Sequence, residues 1–286
     1  MRTSVSVLAC VLIVAAAGCS RKQSAEPPVA TPSVVLNKDK TAIGSPLQVT
    51  YKFEVAPNAK IDGDYAVFVH VMDPDGEKLW QDDHQPPVPT SKWQPGGVVE
   101  YTRTVFAPNY PYIGEAVMRL GLYNPATGKR LSLNATEASR QEYVVKRFNL
   151  LPQSENIFLI YRDGWHSQEI DPNDPASEWQ WTKQNAAISF RNPKRDSTFY
   201  LEYDARVDLF NPPQQMTIMV GGQPIATFAA DSRVRALKTF PISAAQLGNA
   251  DMAEIGLNLD RIFTPGGGDD TRELGIRVFH AFVEPK

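Results

Sequence analysis

From residue 49 the chain alternates with a period of two: Val49, Tyr51, Phe53 and Val55 are interleaved with Thr50, Lys52 and Glu54. Successive side chains of a strand point to opposite faces, so this pattern predicts a half-buried β-strand. Residues 65–72 are apolar at nearly every position, as in a central strand covered on both faces, and Ala116, Met118, Leu120 and Leu122 predict a further inward row. Turn chemistry separates these runs. Asp73-Pro74-Asp75-Gly76, Gln94-Pro95-Gly96-Gly97 and Asn124-Pro125-Ala126-Thr127-Gly128 each pair a proline of fixed φ with a glycine able to take positive φ.

The second half repeats the alternation, with Phe199, Leu201, Tyr203, Ala205 and Val207 set against Tyr200, Glu202, Asp204, Arg206 and Asp208. Residues 216–220 and 223–228 flank Gly221-Gly222, which predicts a two-residue hairpin. Further strands are expected at 236–242, 254–259 and 274–283, and a short helical turn at 243–247. No stretch carries the 3.6-residue period of a four-turn amphipathic helix, so the predicted class is all-β. Strands this short, in a chain of 286 residues, fit two β-sandwich domains better than one large barrel. The alternation breaks at 149–156, which places a linker there between an N-terminal sandwich, 34–148, and a C-terminal one, 157–286. A single elongated sandwich is the alternative.

The first residues change the picture of where these domains work. Met-Arg-Thr-Ser leads into an apolar run from Val5 to Ala17, too short to span a bilayer comfortably and typical of a signal peptide over 1–18. The run ends in Ala16-Ala17-Gly18-Cys19, which resembles the lipobox of bacterial lipoproteins. The resemblance implies cleavage before Cys19 and lipid on its thiol, so that the membrane is a partner through Cys19 alone. Ser20, where proteobacterial sorting reads the mature chain, implies the outer membrane of the cell envelope if the host is Gram-negative. Residues 19–33, rich in Ser, Ala, Pro and charge, predict a flexible tether. The two cysteines lie at 10 and 19, so the expected mature chain has no internal disulfide. The full-chain balance of 29 Lys and Arg against 32 Asp and Glu is mildly acidic, and removal of Arg2 makes it more so; this excludes a nucleic-acid partner of the usual basic kind.

Between 67 and 131 the chain contains VFVHVMDPDGEKLWQDD, PTSKWQPGGVVEYTRTV and GEAVMRLGLYNPATGKRL. This order of strand and turns resembles the immunoglobulin-like module at the extracytoplasmic ends of some bacterial glycosyltransferase-like membrane proteins. Asp163-Gly164-Trp165-His166, the Glu178–Thr182 stretch EWQWT and the ELGIRV segment at 273–278 resemble a second, jelly-roll-like sandwich that accompanies similar proteins. The chain lacks their multispanning enzyme part. The resemblance therefore implies an accessory module near envelope polysaccharide and carries no chemistry over.

No motif for chemistry emerges. The four histidines, His70, His84, His166 and His280, show neither an i, i+4 pair nor an HExxH string, so no metal or other cofactor is expected. Asp73, Asp75 and Glu77 alternate like calcium ligands but sit in a common turn string, and Asp269 and Asp270 follow a glycine run without further ligands. There is no GxSxG and no phosphate loop opening a helix. The aromatic residues carry the richest signal: Trp165, Trp179 and Trp181 lie within seventeen positions, and Trp179 and Trp181 share a face if their segment is a strand. They are core residues or a platform on which a sugar ring stacks. Three functions follow: a noncatalytic glycan-binding or polysaccharide-associated envelope lipoprotein, a scaffold that docks an envelope protein, or an unrecognised hydrolase. The first is the expectation.

Overall fold

The computed structural model describes residues 26–266 and 268–286. The predicted signal peptide, 1–18, and the predicted lipidation site, Cys19, lie outside the described residues. Within them the chain is β-structure, interrupted by one helical turn and two short 3-10 turns.

The first half forms ten strands: β1 (Ala30–Leu36), β2 (Lys40–Ala42), β3 (Pro46–Val55), β4 (Ala66–Met72), β5 (Lys78–Gln81), β6 (Val98–Phe106), β7 (Gly114–Tyr123), β8 (Arg130–Leu131), β9 (Thr136–Ser139) and β10 (Glu142–Leu151). One sheet runs β1-β3-β6. The other runs β2-β10-β7-β4-β5, with β8 and β9 attached to β7 and β10. β2 lies parallel to β10, so the N-terminal edge passes from one sheet to the other, as in immunoglobulin-like sandwiches. The alternation read along β3 places Leu47, Val49, Tyr51 and Phe53 fully inside. Ala116, Met118, Leu120 and Leu122 of β7 meet them from the facing sheet in a core drawn from residues 29–150. Each such side chain contributes about 1.5–3 kcal/mol by leaving water.

Two boundaries differ from expectation. The segment 19–33 is not tether to its end: β1 starts at Ala30, because Val29 and Ala30 are buried and the strand pairs with β3 from Val55 downward. Pro32 is tolerated there because β1 is an edge strand. The linker 149–156 likewise begins inside β10, where Leu150 is buried and residues 149–151 pair with β2; Pro152 then ends the pairing and a 3-10 turn, Gln153–Glu155, follows.

The second half contains β11 (Leu159–Tyr161), β12 (Glu169–Asp171), β13 (Asp174–Trp181), β14 (Asn185–Arg191), β15 (Ser197–Asp204), β16 (Gln215–Val220), β17 (Gln223–Ala229), β18 (Ala236–Ile242), β19 (Met252–Leu259) and β20 (Arg277–Pro285). They make two five-stranded sheets, β11-β14-β19-β16-β17 and β12-β13-β20-β15-β18. From β13 to β20 the chain changes sheet at every step except the β16–β17 hairpin, a jelly-roll-like path. That hairpin turns on Gly221 and Gly222, both at positive φ as its twist requires. The expected helical turn is α1 (Ala244–Leu247), capped by Ser243, whose Oγ accepts from Gln246 N while the Gln246 side chain returns to Ser243 N. Between the sheets lies a second core, drawn from residues 186–283 and including Phe190, Phe199, Ile218, Ile255 and Ile276.

The two halves touch along β20. Phe106 stacks on His280 with ring centroids 4.4 Å apart and meets the edge of Tyr200. Lys38 Nζ lies 2.8 Å from Glu284 Oε1, and the Tyr200 hydroxyl donates to Glu284 Oε2 at 2.7 Å.

Candidate functional site

The three sequence-predicted tryptophans do not form one platform. Trp165 follows Gly164, whose backbone at φ +85 brings it against Asn185, and its indole Nε1 donates to the Ala187 carbonyl at 2.9 Å. The ring packs on the second core with Tyr161 at its edge, 4.7 Å away. Trp165 also bridges to Thr182, the neighbour of Trp181 on the opposite face of the strand.

Trp179 and Trp181 do share a face. Gln180 between them pairs with the core residue Val278, so both indoles project to the outside of their sheet. There they flank Arg277, whose guanidinium lies 4.9 Å from the Trp179 ring and 5.8 Å from that of Trp181. Arg277 is held from below by buried Asp204 through Nε–Oδ1 and Nη2–Oδ2 contacts of 2.8 and 2.5 Å. Trp181 meets Phe263 at 5.7 Å and Trp179 meets Phe279 at 6.2 Å, which extends the stripe at both ends. The Trp179 Nε1 is enclosed and finds no acceptor among the described residues.

The histidines are paired one by one. His70 Nδ1 meets Glu142 at 3.1 Å and His280 Nδ1 meets Glu202 at 2.6 Å. His84 is enclosed between the Asp82 carbonyl, 2.8 Å from Nδ1, and the Tyr101 hydroxyl, 2.8 Å from Nε2; burial lowers its pKa below the ordinary 6.5. Asp73 does the work of a turn, its Oδ1 accepting from Glu77 N at 2.7 Å. Among the described residues no group of three His, Cys, Asp or Glu side chains converges as metal ligands would.

The concave feature with the most directed chemistry is a groove of about 690 Å³ between the two halves. On one wall three carboxamides converge over Gly44: a Cβ there would lie 3.6 Å from Asn109 Oδ1 and 3.7 Å from both Asn156 Nδ2 and Gln153 Nε2. A Cβ would meet them in ordinary contact, and it is the φ of +82, in the turn between β2 and β3, that favours glycine here. Asn156 Nδ2 is already bound to the Ile43 carbonyl at 2.7 Å, which fixes the wall, while Asn109 and Gln153 face solvent. The other wall carries Phe158, Tyr161, Phe279 and Phe282. Phe158 is 80% exposed, the most exposed of the large apolar side chains. Among the described residues no Asp, Glu, Lys or Arg lines the groove. An adjoining hollow of about 960 Å³ shares Phe158 but is lined by charged residues such as Lys38, Arg191 and Glu284. Asn109, Gln153 and Asn156 lie in loops and a 3-10 turn that carry no periodicity; the only sequence signal at Asn109 and Gln153 is a polar amide beside a proline, and Asn156 lacks even that.

Fold and groove together define an all-β protein with two sandwich cores and an aromatic and carboxamide groove where they meet. No protein family matches the sequence, and no curated protein does. Among solved structures the chain is similar to the β-glucuronidase of Bacteroides uniformis, at 10% identity and a TM-score of 0.30, over 89% of this chain and 30% of that one. It is similar to the CBM51-2 and INT domains of ZmpB from Clostridium perfringens, at 10% identity and a TM-score of 0.25, over 88% and 48%. The collagen adhesin from S. aureus aligns at 8% identity and a TM-score of 0.20, over 90% and 96%. The chain thus spans less than a third of the β-glucuronidase, and at these TM-scores the likenesses carry no functional argument.

Proposed function

We propose that this protein is a noncatalytic envelope lipoprotein, held by lipid on Cys19, that binds glycan in the groove between its two sandwiches. The observation that carries the reading is the pairing of Asn109 and Gln153 amides, over Gly44, with the rings of Phe158, Tyr161 and Phe279 across one groove. A sugar ring offers hydroxyls, which amides both donate to and accept from, and a face of C–H groups, which aromatic rings cover. The groove's volume falls in the range of small-ligand sites, and its lining has no carboxylate pair of the kind that cleaves glycosidic bonds. One such site binds at about the millimolar level, about −4 kcal/mol, and relies on polymer avidity for retention.

Affinity electrophoresis through gels containing single polysaccharides tests this. At least one polymer should retard the mature chain, and Asn109→Ala with Gln153→Ala should abolish the retardation while leaving the melting temperature within a degree or two. Retardation by no polymer sinks the glycan reading. The exposure of Phe158 favours docking of an envelope protein as the second reading. The anchor has its own test: Cys19→Ser should remove labelling by radioactive palmitate, and labelling that persists refutes the lipobox.

A further inference from the structure

An aromatic stripe adjoins the groove at Phe279. That ring lines the groove and also belongs to the outer stripe, 6.2 Å from Trp179, with the Arg235 guanidinium 4.1 Å above it. Beyond it Trp179 and Trp181 follow two residues apart on β13, a step of about 7 Å, and Trp181 leads on to Phe263 at 5.7 Å. Phe279, Trp179, Trp181 and Phe263 thus follow one another along the outer face, neighbouring rings meeting edge to face at 62° and 76°, in a stripe longer than a single sugar.

The charge along this path is uneven. Among the described residues the groove is lined by no Lys, Arg, Asp or Glu, its His280 is paired with Glu202, and Arg277 within the stripe is neutralised by Asp204. Arg235 is different. It is exposed, its side chain is steadied by the Ser177 hydroxyl and by the Phe279 face, and no ion pair joins it to a carboxylate among the described residues. With Nη2 donating to Ser177 and Cζ over the Phe279 ring, the Nε and Nη1 donors of the guanidinium are left for a carboxylate.

From this continuity we infer that the site is an extended track for an acidic, carboxylate-bearing polysaccharide, with Arg235 as its anion contact. One sugar occupies the carboxamide groove, the next crosses Phe279 with its carboxylate on Arg235, and further units run over Trp179 and Trp181. The inference rests on the glycan reading above and adds to it the charge and the length of the ligand.

The test uses the full mature chain and a panel of polygalacturonate, alginate and hyaluronan, each beside the same polymer with its carboxyls reduced to alcohols. At least one acidic polymer should bind about tenfold more tightly than its reduced form. Arg235→Gln should remove that difference, Arg235→Lys should restore part of it, and 0.5 M salt should weaken it. For the preferred polymer, a hexasaccharide should bind more tightly than a disaccharide, and Trp181→Ala should remove that gain. Equal binding of acidic and reduced polymers, with loss only on Asn109→Ala and Gln153→Ala, overturns the acidic track and leaves the glycan reading standing. Binding that Arg235→Gln does not change has the same effect. Retention by no polymer of either kind overturns both.

Discussion

Arg277 is the side chain on which the outer stripe depends, and its removal has a calculable cost. It sits opposite Asp204 on the β15–β20 ladder and binds that carboxylate through two contacts, 2.8 and 2.5 Å. The Asp204 side chain is only 7% exposed, whereas that of Arg277 is 33% exposed. Arg277→Ala therefore leaves a carboxylate enclosed with no cation beside it, a change that costs about 3–5 kcal/mol. Loss of the guanidinium between Trp179 and Trp181 adds about 0.5–1 kcal/mol for each half-exposed cation–ring contact. Together these come to about 4–7 kcal/mol, and at about 2–4 °C per kcal/mol the melting temperature should fall by about 8–28 °C. Asp204→Asn in the Arg277→Ala background removes the stranded charge, so the double variant should be more stable than Arg277→Ala alone. Urea unfolding followed by tryptophan fluorescence and far-ultraviolet circular dichroism closes this double-mutant cycle, with an expected coupling of about 2 kcal/mol. A loss below about 1 kcal/mol for Arg277→Ala, or two losses that simply add, would refute the argument.

Other substitutions probe the two cores and their junction. Gly164→Ala would place a Cβ 1.8 Å from the Asn185 carbonyl oxygen at φ +85, and should cost about 3 kcal/mol or more. Gly128→Ala, at φ +71 in open space, should cost only about 1 kcal/mol, so equal melting temperatures for the two variants would contradict the steric account. Burial holds the His84 pKa below 6.5, so above that pH neither state takes the proton and stability is unaffected. As pH falls below it the unfolded chain binds a proton that the folded chain resists, and stability drops. Denaturation midpoints at pH 7.5 and 5.0 should therefore differ less in His84→Gln than in the native protein. Residues 26–152 and 157–286, expressed apart, should each melt cooperatively, since each holds its own core; two unfolded fragments from a foldable whole would favour one intertwined unit.

Periodicity alone determined the class of this protein and the inner faces of its main strands. Val49 to Val55, the 116–122 row and the Gly221-Gly222 hairpin are local features, because the strand period and the turn φ are properties of adjacent residues. The same local reasoning placed a helical turn at 243–247 and put Trp179 and Trp181 on one face. It misjudged Ala30 and Leu150, whose burial comes from Val55 and from β2, partners far along the chain that no nearby residue announces. Only the tertiary structure decided that Trp165 spends its N–H on Ala187 while Trp179 and Trp181 stand outside around Arg277. The groove is further still from the sequence. Gly44, Asn109 and Gln153 meet Phe279 only because two sandwiches abut, and their junction includes the stacked pair Phe106 on His280, drawn from strands of different halves and 174 positions apart. Strand faces follow from neighbours in the chain, but a site built between two sheets of two units depends on long-range packing, and that is settled only when the chain has folded.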